Sequence, residues 1–280
     1  MSIRLIAKSV WQNPGNRGKR VRKSFAAFAW QLQKRVRASS RTMQLANGMR
    51  FNAHVDCVTS SSLIYADWPE YAELTFLRDR LSSGDVIIDV GANVGHFSLL
   101  LADLVGTQNV VAFEPAPRTF ARLAQNWALN GLPTNNLFNC AVGASAGAVF
   151  IENDVRPTTT LQVSELPTSA RSTRVPLVRL DDFRHLWEGS RVGVLKIDVE
   201  GFERAVFEGA DRLLGINRPR LIMFESLSST VDAGISAILT GHHYVVFQLD
   251  EHGQPDFANH SAQNLFAVPE ERLAADRVTA

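Results

Sequence analysis

From residue 85 onward, short apolar runs alternate with segments whose apolar positions recur every three or four residues. Val86–Val90, Asn109–Phe113, Leu137–Ala141, Ala148–Glu152, Val175–Leu180, Val192–Val199 and Arg220–Glu225 have the length and make-up of strands. Between them, His96–Leu104, Arg118–Asn130, Gly201–Leu214 and Val231–Leu239 have helical spacing. The alternation predicts an α/β fold: a doubly wound, mostly parallel sheet with helices on both faces. The tail changes style. His243–Leu249, a turn over 250–253 and Asn264–Val268 predict an antiparallel pair, which ends the sheet in a C-terminal antiparallel strand.

The first third is less regular. Phe25, Phe28, Leu32 and Val36 fall on one face of a helix expected over Ser24–Arg37, with Lys34, Arg35 and Arg37 mostly off that face. Residues 43–66 read as short strands. Asp67-Trp-Pro-Glu70 has the form of a helix start, with Asp67 as N-cap and Glu70 closing a capping box, for a helix running to about Leu81. The expected division is a basic leader at 1–42, strands and a helix covering the site at 43–82, a core at 83–270 and a tail at 271–280. The polar stretch Asn153–Arg174 is expected as the longest loop.

Charge changes the picture of the leader. The 280 residues have an ordinary soluble composition, 45% hydrophobic and 20% charged, and a net charge of +1. Yet twelve of the 29 Lys and Arg lie in residues 1–50, where there is no acid, so a basic arm joins an acidic body. The arm reads as a solvated or partly disordered segment or a helix packed on the body, or else as a contact for an anionic membrane surface or nucleic acid. Cys57 and Cys140 stand far apart, which argues against a disulfide framework and a structural zinc site. No run approaches the ~20 apolar residues of a membrane span, and Phe25–Trp30 is too short for a signal peptide core. The default location is cytoplasmic, with peripheral attachment at the inner face of the membrane if the leader binds lipid.

The candidate chemistry begins where Val86–Val90 ends. Ligands of doubly wound sheets bind beyond the carboxyl ends of the strands, and that edge receives Asp89 and the turn Gly91-Ala-Asn-Val-Gly95. Gly91 permits a backbone angle closed to other residues, and Gly95 permits close approach. The turn and the helix behind it are expected to bare N–H groups to the ligand. The spacing is D-x-G-x-x-x-G, whereas a dinucleotide fingerprint needs glycine where Asn93 stands. Glu114, ending the next strand, is placed to accept both hydroxyls of a ribose and to repel a 2′-phosphate. Ala141, ending the third, joins the same edge. This set points to S-adenosylmethionine.

Val194-Leu-Lys-Ile-Asp-Val-Glu-Gly-Phe-Glu203 repeats the theme of an apolar strand ending in charge. Alternation puts Lys196 and Asp198 on one face, with Glu200 near the helix start. Burying a lone Lys or Asp is costly, so these groups pair or meet a ligand. A structural ion pair capped by Glu200 and a catalytic role for Lys196 both remain open.

With these residues in place, the chain resembles the FkbM family of methyltransferases. The resemblance rests on Asp89-Val-Gly-Ala-Asn-Val-Gly95, Phe113-Glu-Pro115, Asn126 to Asn130-Gly131, Leu180-Asp181, Lys196-Ile-Asp-Val-Glu-Gly201 and Phe224-Glu225. They run in the family's order from about Gly84 to Pro269. The resemblance implies a class I, Rossmann-like, S-adenosylmethionine-dependent fold and O-methylation of a sugar, glycolipid or secondary metabolite. By position it puts Asp89, Gly91, Asn93, Gly95 and Glu114 on the cofactor side, with Asp198 near the methyl end.

Two absences agree with oxygen as the acceptor atom. The Asn/Asp-Pro-Pro-aromatic motif of amine methylation is replaced by Asp198-Val-Glu-Gly201, and neither cysteine follows a proline as cytosine C5 chemistry would need. Asp198 or Glu200 is the expected general base, with Lys196 orienting the carboxylate or stabilising the oxyanion; His96 and Glu225 are second choices. Asp181, Asp198 and Glu200 could converge on a divalent metal, but nothing in their spacing demands one, and none is assigned. The competing readings are an NAD-dependent oxidoreductase and a non-catalytic cofactor-binding module tethered by its basic arm to RNA or anionic lipid.

Overall fold

A computed structural model of the chain describes residues 3–36, 40–152, 163–164, 166–167, 172–226 and 230–276. It opens with helices α1 (Ile3–Trp11) and α2 (Arg20–Arg35), a two-stranded ribbon of β1 (Ser40–Gln44) and β2 (Arg50–His54), and helices α3 (Val58–Tyr65) and α4 (Tyr71–Arg78). Then strands and helices alternate: β3 (Val86–Val90), α5 (His96–Val105), β4 (Val110–Phe113), α6 (Pro117–Ala128) and β5 (Leu137–Phe138). The strands β6 (Ala141–Val142), β7 (Gly147–Glu152), β8 (Val163–Ser164) and β9 (Ser172–Val178) follow and form a sheet of their own. The chain returns with β10 (Val192–Ile197), α7 (Glu203–Glu208), β11 (Leu221–Glu225), α8 (Ala233–Gly241), β12 (Tyr244–Leu249), β13 (Pro255–Asp256), β14 (Asn264–Pro269) and α9 (Glu270–Asp276).

The main sheet has the order β13-β12-β14-β11-β10-β3-β4-β5. The strands from β11 to β5 are parallel, and β14 runs antiparallel between β11 and β12. Alternate strand residues feed opposite faces. Ile87, Ala112, Val194 and Met223 pack with Leu99, Leu123 and Trp127, whereas Ile88, Val111, Leu195 and Ile222 pack with Val206, Phe207 and Leu239. Burial on both faces is why these strands read as unbroken apolar runs. The order reverses beside β3, whose neighbours are β4 and β10, so the carboxyl ends of β3 and β10 open the crevice where such sheets bind ligands.

Several local expectations change. Val58–Tyr65 is a helix rather than strand, its start capped by the Sγ of Cys57, which accepts from the Ser60 N–H at 3.4 Å. Glu70, not Asp67, stands at the N-cap position of α4, in left-handed backbone (φ 51) and without a side-chain cap bond. Asp67 pairs instead with Lys19 at 2.8 Å and Lys23 at 2.6 Å. The run Leu137–Ala141 is divided between two sheets, and Gly201–Leu214 keeps only the short helix α7 before a π turn at Leu213–Asn217. Of the expected loop Asn153–Arg174, β8 and the first residues of β9 are described; most of the rest lies outside the described residues.

The leader is packed on the body through the face opposite to its apolar stripe. Lys23, Ala27 and Trp30 are buried against α3, where the Trp30 Nε1–H and the Lys34 ammonium donate to Ser61 Oγ at 3.1 and 2.7 Å. Asn16, fully buried, donates to the carbonyls of Val10 and Tyr65. Phe25, Phe28, Leu32 and Val36 are exposed; Arg37 lies outside the described residues. No described helix is long and apolar enough to cross a membrane.

Candidate active site

The loop after β3 turns through two glycines in left-handed backbone, φ +79 at Gly91 and +85 at Gly95. A Cβ on Gly91 would lie 1.8 Å from the Asp198 carbonyl oxygen, and one on Gly95 would lie 2.5 Å from Leu123 Cδ1, so the loop is wedged between the end of β10 and α6. Its backbone N–H groups are all engaged. The N–H groups of Gly91 and Ala92 donate to Phe113 O at 2.9 and 3.0 Å, and that of Gly95 donates to Ala92 O at 2.9 Å. Asn93 N–H donates to Glu114 Oε2 at 2.9 Å, and Val94 N–H to Asn93 Oδ1 at 2.8 Å. The expectation of bare amides is therefore corrected: the loop presents a shaped wall, not an anion nest. A pyrophosphate would find no free backbone N–H in 91–95, which speaks against a dinucleotide.

Glu114 closes β4 and is 3% exposed. Its two oxygens accept from Asn93 N–H and Ala116 N–H, each at 2.9 Å. Burial pushes its pKa up to about 7 against the pull of those two amides. Asn139 Nδ2 fixes the same corner, just past the end of β5, by donating to Glu114 O and Pro115 O.

Across the crevice, β3 and β10 align Asp89 with Lys196 in parallel register. Asp89 is fully buried and accepts from Ser98 Oγ at 2.6 Å. The Lys196 ammonium lies 3.4 Å from Asp89 Oδ1, 3.2 Å from Asp198 Oδ2 and 5.4 Å from the Phe97 ring centre. Burial works against its charge, but Asp198, Asp89 and Glu70 outweigh that and hold its pKa above the ordinary lysine value. Lys196 is a cation, not a proton acceptor. Asp89, Gly95 and Lys196 stand behind the cavity wall, and Asp198 reaches the cavity.

Asp198, Glu200 and Glu225 each bring one carboxylate oxygen within 4.8 Å of the others. Glu200 (φ 56) has its pKa pushed up to about 7, first by burial and then by Glu225, Asp198 and Glu203. Glu225, at the end of β11, is 8% exposed; its Oε1 accepts from Gln263 Nε2 at 2.6 Å, while its buried Oε2 has no hydrogen-bond partner. Burial raises its pKa too. Glu200 does not cap α7, whose start has no side-chain cap bond; Glu203 Oε1 instead ties the preceding loop, accepting from the N–H groups of Val199 and Gly201 at 3.2 and 3.1 Å. Asp181 stays out of the cluster, accepting from Arg212 and Leu213 N–H at 3.1 and 3.0 Å. His96 is buried and neutral: burial, then the nearby Lys196, lowers its pKa to about 4.

These groups surround a cavity of about 430 Å³. Gly91, Asn93, Glu114, Ala141, Asp198 and Glu200 from the sequence reading all line it, as do Glu225 and His96. Val58, Thr59 and Ser62 of α3 also line it, within the 43–82 segment expected to cover the site but as helix rather than strand; Gln263 lines it too and was not anticipated. Only the strand-end pair Phe224-Glu225 carried a local signal for that side. The cavity suits S-adenosylmethionine: an acceptor carboxylate at Glu114, apolar walls at Ala141 and Val142, and the acidic cluster of Asp198, Glu200 and Glu225 for a cationic ligand.

Comparison with known proteins agrees. Residues 89–253 match the family described as the Methyltransferase FkbM domain. The chain is similar to 31-O-demethyl-FK506 methyltransferase FkbM of Streptomyces tacrolimicus, 28% identical over 73% of this chain and 89% of that one. It is also similar to hexuronic acid methyltransferase AglP of Haloferax volcanii, 27% identical over 50% of this chain and 56% of that one. A solved S-adenosylmethionine-dependent methyltransferase from Agrobacterium tumefaciens is 10% identical, with a TM-score of 0.44 over 83% of this chain and 71% of that one. The family match spans more than half of the chain, including both strand-end acid clusters and the glycine loop that shape the cavity. The chain belongs to the FkbM family of S-adenosylmethionine-dependent methyltransferases.

Proposed function

We propose that the protein methylates a hydroxyl oxygen of a sugar, glycolipid or secondary metabolite. The observation that carries this reading is the convergence of Asp198, Glu200 and Glu225 within 4.8 Å at the cavity, with Glu200 held near a pKa of 7. An alcohol is weakly acidic, so its methylation gains from a positioned carboxylate that is ionised near neutrality. By their printed names, the two relatives act at a 31-O position and on a hexuronic acid, both oxygen-rich acceptors.

Bound S-adenosylmethionine supplies an electrophilic methyl group. Gly91, Asn93, Glu114 and Ala141 would hold it, with Asp198 near its methyl end. Glu200 takes the acceptor proton on a carboxylate oxygen, a contribution of ~10²–10⁴-fold. Asp198, tied at 3.2 Å to the Lys196 ammonium, would lie beside Glu200 and face the cationic methyl end of the cofactor. The Asp89–Lys196 pair fixes that carboxylate from behind. The α3 residues Val58, Thr59 and Ser62 shape the acceptor side and keep water out.

The reading is tested by incubating the purified protein with methyl-labelled S-adenosylmethionine and cell extract. Label is expected as an alkali-stable methyl ether in a glycan, lipid or small-metabolite fraction. Label on a nitrogen of protein or nucleic acid would overturn it.

A further inference from the structure

The methyl-transfer site leaves one large feature of the molecule unused. At 3.6 residues per turn, Val21, Phe25, Phe28 and Leu32 of α2 fall within an arc of about 60°. Lys23, Ala27, Trp30 and Lys34 occupy another arc of about 60° on the opposite side, and that side is the one packed on α3. The first arc faces away from the body: Phe25 is 72% exposed and Phe28 71%, and Val21, Leu32 and Val36 are exposed with them. Leu5 and Trp11 of α1 are exposed too. Single exposed apolar residues are ordinary, but an aligned row with two phenylalanines is not.

The surroundings of this row identify what it fits. Arg22 and Arg35 flank it on α2, and Arg4, Lys8 and Arg17 are exposed on α1 and the link between the helices. Residues 1–50 contain no acid. A helix with aromatic residues on one face and a basic border lies in the interface of a membrane, its apolar side sunk about 5–10 Å into the headgroup boundary. Here that helix is already folded and fixed to the body by Trp30, Asn16 and the Lys19/Lys23–Asp67 pairs, so docking requires no ordering of a free arm. The charge selects the lipid, because an anionic surface attracts each Lys or Arg near it.

We propose that the outer face of α2, flanked by Arg22 and Arg35 within the acid-free basic leader, docks this protein on an anionic phospholipid bilayer as a peripheral, non-spanning attachment. The proposal is independent of the methyl-transfer reading: protein without activity on any acceptor is expected to dock equally.

The test is co-sedimentation of the full chain with vesicles of phosphatidylcholine alone and of phosphatidylcholine mixed in equal parts with phosphatidylglycerol. Sedimentation is expected with the mixed vesicles only, weakening as salt is raised. Phe25→Ser/Phe28→Ser is expected to lower partitioning about tenfold or more through lost apolar burial, and Arg22→Glu/Arg35→Glu to lower it as well. Both pairs are exposed, so unchanged thermal unfolding and S-adenosylhomocysteine binding will show intact folding. Ile216→Ser, an exposed apolar site elsewhere (69%), is expected to leave partitioning unchanged. Absence of sedimentation with mixed vesicles, equal sedimentation with both kinds, or equal loss from Ile216→Ser overturns the proposal. So does a dimer that Phe25→Ser/Phe28→Ser abolishes without any vesicle binding, which would give the face to a second copy of the chain.

Discussion

The carboxylate of Glu114 accepts the Asn93 amide at 2.9 Å, so the acid that closes one core strand clamps the loop that follows its neighbour. The same side chain holds Ala116 N–H with its other oxygen. Glu114 thereby sets the shape of the loop that lines the cavity.

Replacing Glu114 with Gln leaves one acceptor oxygen for two amides and sets an amide nitrogen against one of them. An unpaired buried donor costs about 1–3 kcal/mol, so S-adenosylhomocysteine affinity is expected to fall about tenfold or more, with a lower thermal midpoint. Isothermal calorimetry and thermal denaturation check this together. Unchanged affinity would remove Glu114 from recognition.

The rate should follow the ionisation of Glu200. Its folded pKa of about 7 lies above the ordinary glutamate value because of burial and the facing carboxylates. A base acts unprotonated, so turnover is expected to rise with pH through about 7 and level off above it. Glu200→Gln should remove that limb and lower turnover by ~10²–10⁴-fold. Glu225→Gln removes a facing negative charge, lowers the Glu200 pKa and should move the limb to lower pH. A limb that stays put in both variants would contradict the assignment.

Lys196→Met is expected to destabilise the fold by about 3–5 kcal/mol, because Asp89 would be left as an uncompensated buried charge. Asp89→Asn combined with Lys196→Met should recover part of that loss, measured by denaturant unfolding as a double-mutant cycle. Simple additivity of the two changes would argue against their pairing.

Gly91→Ala and Gly131→Ala separate backbone strain from collision. Both glycines have positive φ, +79 and +69, but a Cβ at Gly91 meets the Asp198 carbonyl while one at Gly131 meets no atom within 4 Å. Gly131→Ala is expected to cost about 1–2 kcal/mol from backbone strain alone. Gly91→Ala should cost clearly more and also weaken S-adenosylhomocysteine binding. Equal effects would mean that the loop is free to move off β10.

The central strands were legible because each is buried on both faces and so reads as an unbroken apolar run, with Asp89, Glu114, Lys196 and Asp198 marking the ends. Periodicity found the stripe of α2 but not its direction, since helical spacing says which residues share a face and nothing about where the body lies. The helix α3 was hidden because Val58-Thr-Ser-Ser-Ser62 has weak helical propensity and no clear polar face; tertiary packing around Leu63 and Tyr65 decides it. The fate of the loop amides depended on Phe113 O and Glu114 Oε2, acceptors that only the folded sheet brings to them. The Glu225–Gln263 contact joins residues 38 apart and left no local trace.

The most direct measurement is a crystal structure of the protein with S-adenosylhomocysteine. The ribose hydroxyls are expected on the Glu114 carboxylate, the adenine against Ala141 and Val142, and the sulfur facing Asp198. An adenosine lying elsewhere, with Glu114 bound only to the amides of Asn93 and Ala116, would contradict this placement.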